Sequence, residues 1–249
     1  MEYICVYSGS SDKGPENHKQ AARDLGKAIV EAGYGLIYGG AKVGLMGIIA
    51  NSVLEAGGQV KGVITPEVEA LEVVHQGLQT LIKAENYQQR KRLMMEGSVA
   101  CIALPGGLGT LDESFESLIK NQFASYKNTD DNPVKPFCLV NTDGFYEHQI
   151  KQLDICVEHG YMKQSHRDMV YASGNIANIL AHIKGYKKPA ADAGKWWEQT
   201  NAKPITPLLD KNIPRVAAGS NIAISDEDIQ HLPPKWRFKV EGKTNKPTM

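Results

Sequence analysis

The chain has no excess of charge of either sign: 28 lysines and arginines stand against 28 aspartates and glutamates in 249 residues. It also lacks a basic stripe interleaved with aromatics, the pattern that tracks a nucleic-acid backbone, which argues against a polyanion partner. No apolar run approaches the roughly 18 residues of a membrane helix, and Met1 leads straight into strand-like residues, leaving no room for a signal peptide. A cytoplasmic protein is expected. Cysteine is scarce, and Cys5, Cys101, Cys138 and Cys156 are widely spaced in mostly apolar surroundings, which predicts buried free thiols without a disulfide or metal role. His18, His75, His148, His159, His166, His182 and His231 show no ligand spacing, so neither a metal nor a cofactor is predicted. GxGxxG does not follow the first strand and no acidic residue closes the second, which disfavours a dinucleotide cofactor. The GxxxxGK-Ser/Thr phosphate loop is absent throughout.

What is present is a regular alternation. Apolar strand-like runs at Tyr3–Tyr7, Gly35–Tyr38 and Val60–Ile64 are separated by helical periodicity over Glu16–Ala32 and Leu45–Ala56. After a less regular stretch come a short run at Leu78–Ile82 and a helix over Asn86–Glu96. Strands at Val99–Leu104, Phe137–Val140 and Met169–Ala172 then lead into helices at Leu111–Phe123, Phe145–His159 and Ile176–Lys184. Short apolar strands alternating with helices predict an α/β fold, a Rossmann-like doubly wound parallel sheet with helices on both faces. Ligands of such sheets bind beyond the carboxyl ends of the strands. Past Lys187 the composition shifts to Pro, Gly, Lys and Asn, with Trp196, Trp197 and Trp236 but no long periodic segment. The expected organisation is therefore a domain over residues 1–187 and an irregular C-terminal extension over 188–249.

Several loops should reach that sheet edge. Ser8-Gly9-Ser10-Ser11 follows the first strand and offers hydroxyls and amides to a phosphate or ribose, or simply an N-cap to the next helix. Gly39 to Gly47, including Gly40, forms a second glycine-rich turn, which reads equally as a tight βα connection without a ligand. Arg90 and Met94 share a helix face, so the methionine can pack inward while the guanidinium projects toward the edge. The run Leu104 to Glu113, LPGGLGTLDE, carries a strand through a glycine turn into a helix. The first amides of a helix lack internal partners and sit at the positive end of its dipole, so they bind anions such as phosphate. Thr110 and Glu113 also match the capping box T-x-x-E, in which the glutamate reaches back to a backbone amide.

The pairing of RKxxM (Arg90, Lys91, Met94) with PGGxGTxxE (Pro105, Gly106, Gly107, Gly109, Thr110, Glu113) resembles the LOG family, the cytokinin riboside 5′-monophosphate phosphoribohydrolases, whose bacterial relatives often hydrolyse AMP. The similarity takes in the SGSS start, GGAKVGLMGIIA after the second strand and NTDGFY at Asn141–Tyr146, and so covers roughly residues 1 to 185. It implies that Arg90 and Glu113 are the catalytic pair and that Gly106, Gly107, Gly109 and Thr110 hold the 5′-phosphate. It also implies that Lys91, Glu72, Ser8 and Gly40 line the substrate site and that the protein is a homodimer. Leu108 stands where plant members commonly have an aromatic residue. Family members have carried a lysine decarboxylase label, for which no motif of pyridoxal phosphate chemistry is found here. The expected reaction is hydrolysis of a purine nucleoside 5′-monophosphate to free base and ribose 5-phosphate. A carrier of a phosphorylated cofactor, resembling the molybdenum cofactor carriers, is the alternative.

Overall fold

The computed structural model describes residues 1–71, 73–127 and 133–187. The extension expected over 188–249, its three tryptophans included, lies outside the described residues.

Seven parallel strands, β1 (Tyr3–Tyr7), β2 (Gly35–Tyr38), β3 (Val60–Ile64), β4 (Thr80–Lys83), β5 (Ala100–Ala103), β6 (Phe137–Val140) and β7 (Val170–Ser173), lie in the order β4-β3-β2-β1-β5-β6-β7. The helices are α1 (Glu16–Glu31), α2 (Gly44–Glu55), α3 (Pro66–Ala70), α4 (Tyr87–Glu96), α5 (Leu108–Lys127), α6 (Glu147–Glu158), α7 (Gln164–Arg167) and α8 (Ile176–Lys184). The expected doubly wound α/β sheet is therefore present.

Period-2 alternation sorts the strand side chains onto two faces, as pleating requires. Ile4, Val6, Leu36, Tyr38, Ala100, Ile102, Cys138 and Val140 pack under Leu25 and Ile29 of α1, Ile49 and Val53 of α2, and Ile179 and Ile183 of α8. Cys5, Tyr7, Ile37, Cys101, Ala103, Phe137 and Leu139 face Met94 of α4, Leu118 of α5 and Leu153 of α6. The cysteines are all free, with Cys5, Cys101 and Cys138 buried and Cys156 only half-buried. Among the described residues no helix is long and apolar enough to cross a membrane.

The strand order puts the functional edge in one place. The chain winds from β1 outward to β4, and α4 then carries it back across the sheet to β5 on the other side of β1. The carboxyl ends of β1 and β5 therefore flank a topological switch point, where a crevice opens in sheets of this kind. Their two loops are joined there, Gly9 N–H donating to the Pro105 carbonyl at 3.1 Å.

Three elements start two or more residues from where they were expected. β4 begins at Thr80 and not Leu78, and the stretch before it contains the short helix α3. A 3-10 turn over Thr142–Gly144, with Asp143 at φ 54°, holds α6 back to Glu147. The third change concerns α5, which starts at Leu108, three residues early. Thr110 is thereby inside the first turn, and the capping box with Glu113 does not form.

Candidate active site

Two glycine-rich turns open onto the crevice, and they differ in what occupies the helix end behind them. At α2 the amide of Gly44 donates to the Asp12 carboxylate at 2.7 Å, and that of Leu45 donates to the Gly9 carbonyl at 3.0 Å. An internal anion has already closed that helix end. At α5 the Leu111 amide donates to the Gly107 carbonyl at 3.1 Å, while the amides from Gly106 to Thr110 find no partner among the described residues. A run of uncommitted N–H groups at the positive end of a helix of 20 residues is what an anion needs.

The glycines of this turn have separate jobs. A β-carbon on Gly106 would meet Thr110 Oγ1 at 2.1 Å and Gly9 N at 2.8 Å, so this glycine is required by the packing of the two loops. Gly107 and Gly109 face open space, with nothing within 4 Å of a β-carbon built on them. Space for another group beside the backbone is present at Gly107 and Gly109 and absent at Gly106. Accordingly, Gly106→Ala should lower the unfolding free energy by about 1–3 kcal/mol, the usual cost of overpacking, whereas Gly107→Ala should stay within about 0.5 kcal/mol of the parent. Urea denaturation of the two variants checks this.

Gly40 is likewise accounted for by the fold. It sits at φ +77°, a β-carbon on it would come within 2.5 Å of Ile64 Cγ2, and its carbonyl accepts from His75 N. Val73 and Val74 are tied to the same turn, the Val73 carbonyl accepting from Lys42 N and Val74 bridging Ala41. Glu72, expected to contact substrate, lies outside the described residues. Ser8, at the carboxyl end of β1, is 7% exposed, and its hydroxyl has no hydrogen-bond partner among the described residues. The hydroxyls of Thr65 and Thr142 are likewise buried without a partner.

Arg90 and Glu113 meet under this edge. Asn86 caps α4 by accepting from Gln89 N at 2.9 Å; Arg90 follows one turn later, and Met94, a further turn on along the same stripe, is fully buried against the sheet. Arg90 Nη1 donates to Glu113 Oε1 at 2.8 Å, and its Nε donates to the Val63 carbonyl at 2.9 Å. Both side chains are about 10% exposed, so water screens the pair little. Burial pushes the Glu113 carboxyl above the usual carboxylate range, and the Arg90 charge pulls it down without overcoming that effect. A carboxylate tuned upward in a crevice is a common feature of acid–base and electrostatic catalysts.

Lys91 does not line the crevice. Its Nζ donates to Asp112 at 2.8 Å and approaches Glu116 at 2.5 Å, bracing α4 against α5 one residue outside the Arg90–Glu113 contact. Burial works against its charge, but the two carboxylates outweigh it and hold the amine above its ordinary range. Sequence reasoning missed Val63 and Asp12, because a backbone carbonyl and an internal anion leave no recognisable motif, and it took in Gly39 only as part of a glycine-rich turn. Among the described residues no cluster of three or more His, Cys, Asp or Glu is placed to hold a metal ion.

Comparison with known proteins identifies the family. Residues 46–183 match the family model described as possible lysine decarboxylase. The chain is 31% identical over 210 residues to the cytokinin riboside 5′-monophosphate phosphoribohydrolase LOG of Oryza sativa subsp. japonica, covering 84% of each chain. It is 33% identical to a cytokinin riboside 5′-monophosphate phosphoribohydrolase of Arabidopsis thaliana, covering 74% of this chain and 78% of the other. Among solved structures, the molybdenum cofactor carrier protein of Chlamydomonas reinhardtii superposes with a TM-score of 0.55 at 23% identity, over 74% of this chain and 96% of that one, a likeness of fold. With Arg90, Glu113 and the glycine turn brought together at the switch point, and with relatives of this identity over most of its length, the chain belongs to the LOG family.

Proposed function

We propose that the protein hydrolyses the N-glycosidic bond of purine nucleoside 5′-monophosphates, such as AMP or an N6-prenylated AMP, to the free base and ribose 5-phosphate. One observation carries this reading: a buried carboxylate, paired with an arginine, lies one helical turn beyond a row of unpartnered amides. The amides of Gly107, Leu108, Gly109 and Thr110 take the 5′-phosphate. The sugar then extends along α5 toward Glu113.

Breaking the bond from N9 to C1′ sends its electron pair to the base and builds positive charge on the ribose, as in glycoside hydrolysis. The ionised Glu113 stabilises that charge and accepts a proton from the water whose oxygen adds to C1′. That proton passes on to the departing base, which returns Glu113 to its ionised form, so one water is consumed per bond cleaved. Arg90 holds the carboxylate in position and favours its ionised form. Lys91 fits the brace described above better than a Schiff-base role, since its amine is charged and held by two carboxylates.

Incubating the protein with AMP and separating the products by chromatography tests the proposal. Adenine and ribose 5-phosphate in equal amounts are expected. Binding of a phosphorylated ligand without release of base would instead support a role as carrier of a phosphorylated cofactor.

We further propose that the protein works as a homodimer formed through α5. Leu108, Phe115, Ile119 and Phe123 are exposed, the last three at successive four-residue steps along the helix that carries Glu113. A contiguous exposed apolar stripe is costly in water unless a partner covers it. Ile119→Glu is expected to halve the mass measured by light scattering after size-exclusion chromatography.

A further inference from the structure

The guanidinium of Arg90 is held on three sides, and one of them is an absence. Nε is fixed by the Val63 carbonyl at the end of β3, and Nη1 by Glu113. Nη2 rests over Gly39, the residue after β2, where a β-carbon would lie 2.1 Å from Nη2, 3.4 Å from the guanidinium carbon and 3.0 Å from Met46 Sδ. Gly39 is not among the residues with positive φ, so its backbone would accept an alanine. Space is what excludes a side chain. A terminal guanidinium can usually swing away at small cost, but this one swings only by giving up two hydrogen bonds in a buried setting.

We propose that Gly39 is a positioning residue for Arg90, its missing β-carbon forming the seat that keeps the guanidinium on Glu113. This rests on the catalytic roles proposed above, yet its central consequence is readable without turnover. Evicting Arg90 removes from Glu113 both the nearby positive charge and the hydrogen bond to its ionised form, so the carboxyl must titrate at higher pH. The phosphate turn belongs to β5 and α5 and is untouched.

The test is Gly39→Ala, with Gly58→Ala as a control, because a β-carbon at Gly58 crowds only Val30 and Val53, away from the crevice. Glu113 is followed by carboxyl-carbon NMR over pH, alongside kcat and KM for AMP. In Gly39→Ala, kcat is expected to fall by about ten- to a hundredfold, the scale of a misplacement near 1 Å, with KM changed less than about threefold. The Glu113 titration moves upward, and the acid limb of the kcat profile moves with it. Gly58→Ala loses stability and leaves both unchanged.

An unshifted Glu113 titration in folded Gly39→Ala overturns the proposal, whether or not AMP is the substrate. Should Gly39→Ala fail to fold, the double variant Gly39→Ala/Arg90→Lys decides, since lysine has no Nη2. Restored folding supports the seat, and continued failure contradicts it. Absence of AMP hydrolysis by the parent protein, with the titration shifted as expected, would sink the functional reading and leave this one standing.

Discussion

Glu113→Gln should cut the rate of AMP hydrolysis by about a hundredfold to ten-thousandfold, the range over which a positioned acid–base or electrostatic group contributes. Glutamine keeps the length and shape of the side chain and can still accept from Arg90 Nη1, so the loss reports the missing negative charge. KM for AMP should change little, because the proposed phosphate site is the set of amides in the preceding turn. Measured at saturating AMP, the parent enzyme should also lose activity on acidification. The half-point should lie above the ordinary carboxylate range, since burial raises the Glu113 carboxyl and Arg90 only partly offsets it. In Glu113→Gln that acid limb should be gone from whatever rate remains.

Arg90→Met acts on stability as well as on rate. It leaves Glu113 buried without its cation, a change that costs about 3–5 kcal/mol when the remaining charge stays ionised. The cost must depend on pH. A carboxyl whose folded pKa is raised adds stability below its unfolded pKa, and loses it as pH rises through the folded value. Removing Arg90 raises the folded value further, so the deficit of the variant should be largest at neutral to alkaline pH. It should shrink as pH falls below the parent's folded value, where the carboxyl is protonated in both folded proteins. Urea unfolding of parent and variant at several pH values gives the curve directly. A deficit independent of pH would mean that the variant loses only the packing of the arginine stem. Activity of Arg90→Met should also fall, because the surviving carboxyl loses the group that positions it and titrates at higher pH than in the parent.

The parts of the fold governed by local periodicity were legible in the chain. Tyr3–Tyr7, Gly35–Tyr38, Val60–Ile64, Phe137–Val140 and Ile176–Lys184 coincide with β1, β2, β3, β6 and α8, because buried strands and a capped amphipathic helix state their own limits. The onset of α5 did not. Leu108-Gly109-Thr110 has weak helix preference, and the turn is drawn into the helix by the packing of Gly106 against Thr110 and Gly9. The same tertiary contact explains why T-x-x-E misled. A glutamate three residues after a threonine is a good cap in isolation, but here an arginine 23 positions away offers Glu113 a charged donor in a buried setting. That outcompetes a backbone amide. Arg90 and Glu113 were visible as a pair only through family resemblance, since α4 crosses beneath the sheet to bring them together. The role of Lys91 could not be separated from that of Arg90 by adjacency alone. Successive helix residues point about 100° apart, so one enters the crevice and the other braces the outside.

The central claim is that the amides opening α5 grip a nucleotide's phosphate and so set its sugar against Glu113. A crystal structure of Glu113→Gln with AMP bound tests it most directly. Phosphate oxygens are expected within hydrogen-bond distance of the amides between Gly107 and Thr110, with C1′ facing residue 113. Phosphate bound elsewhere, or C1′ turned away from residue 113, would contradict it.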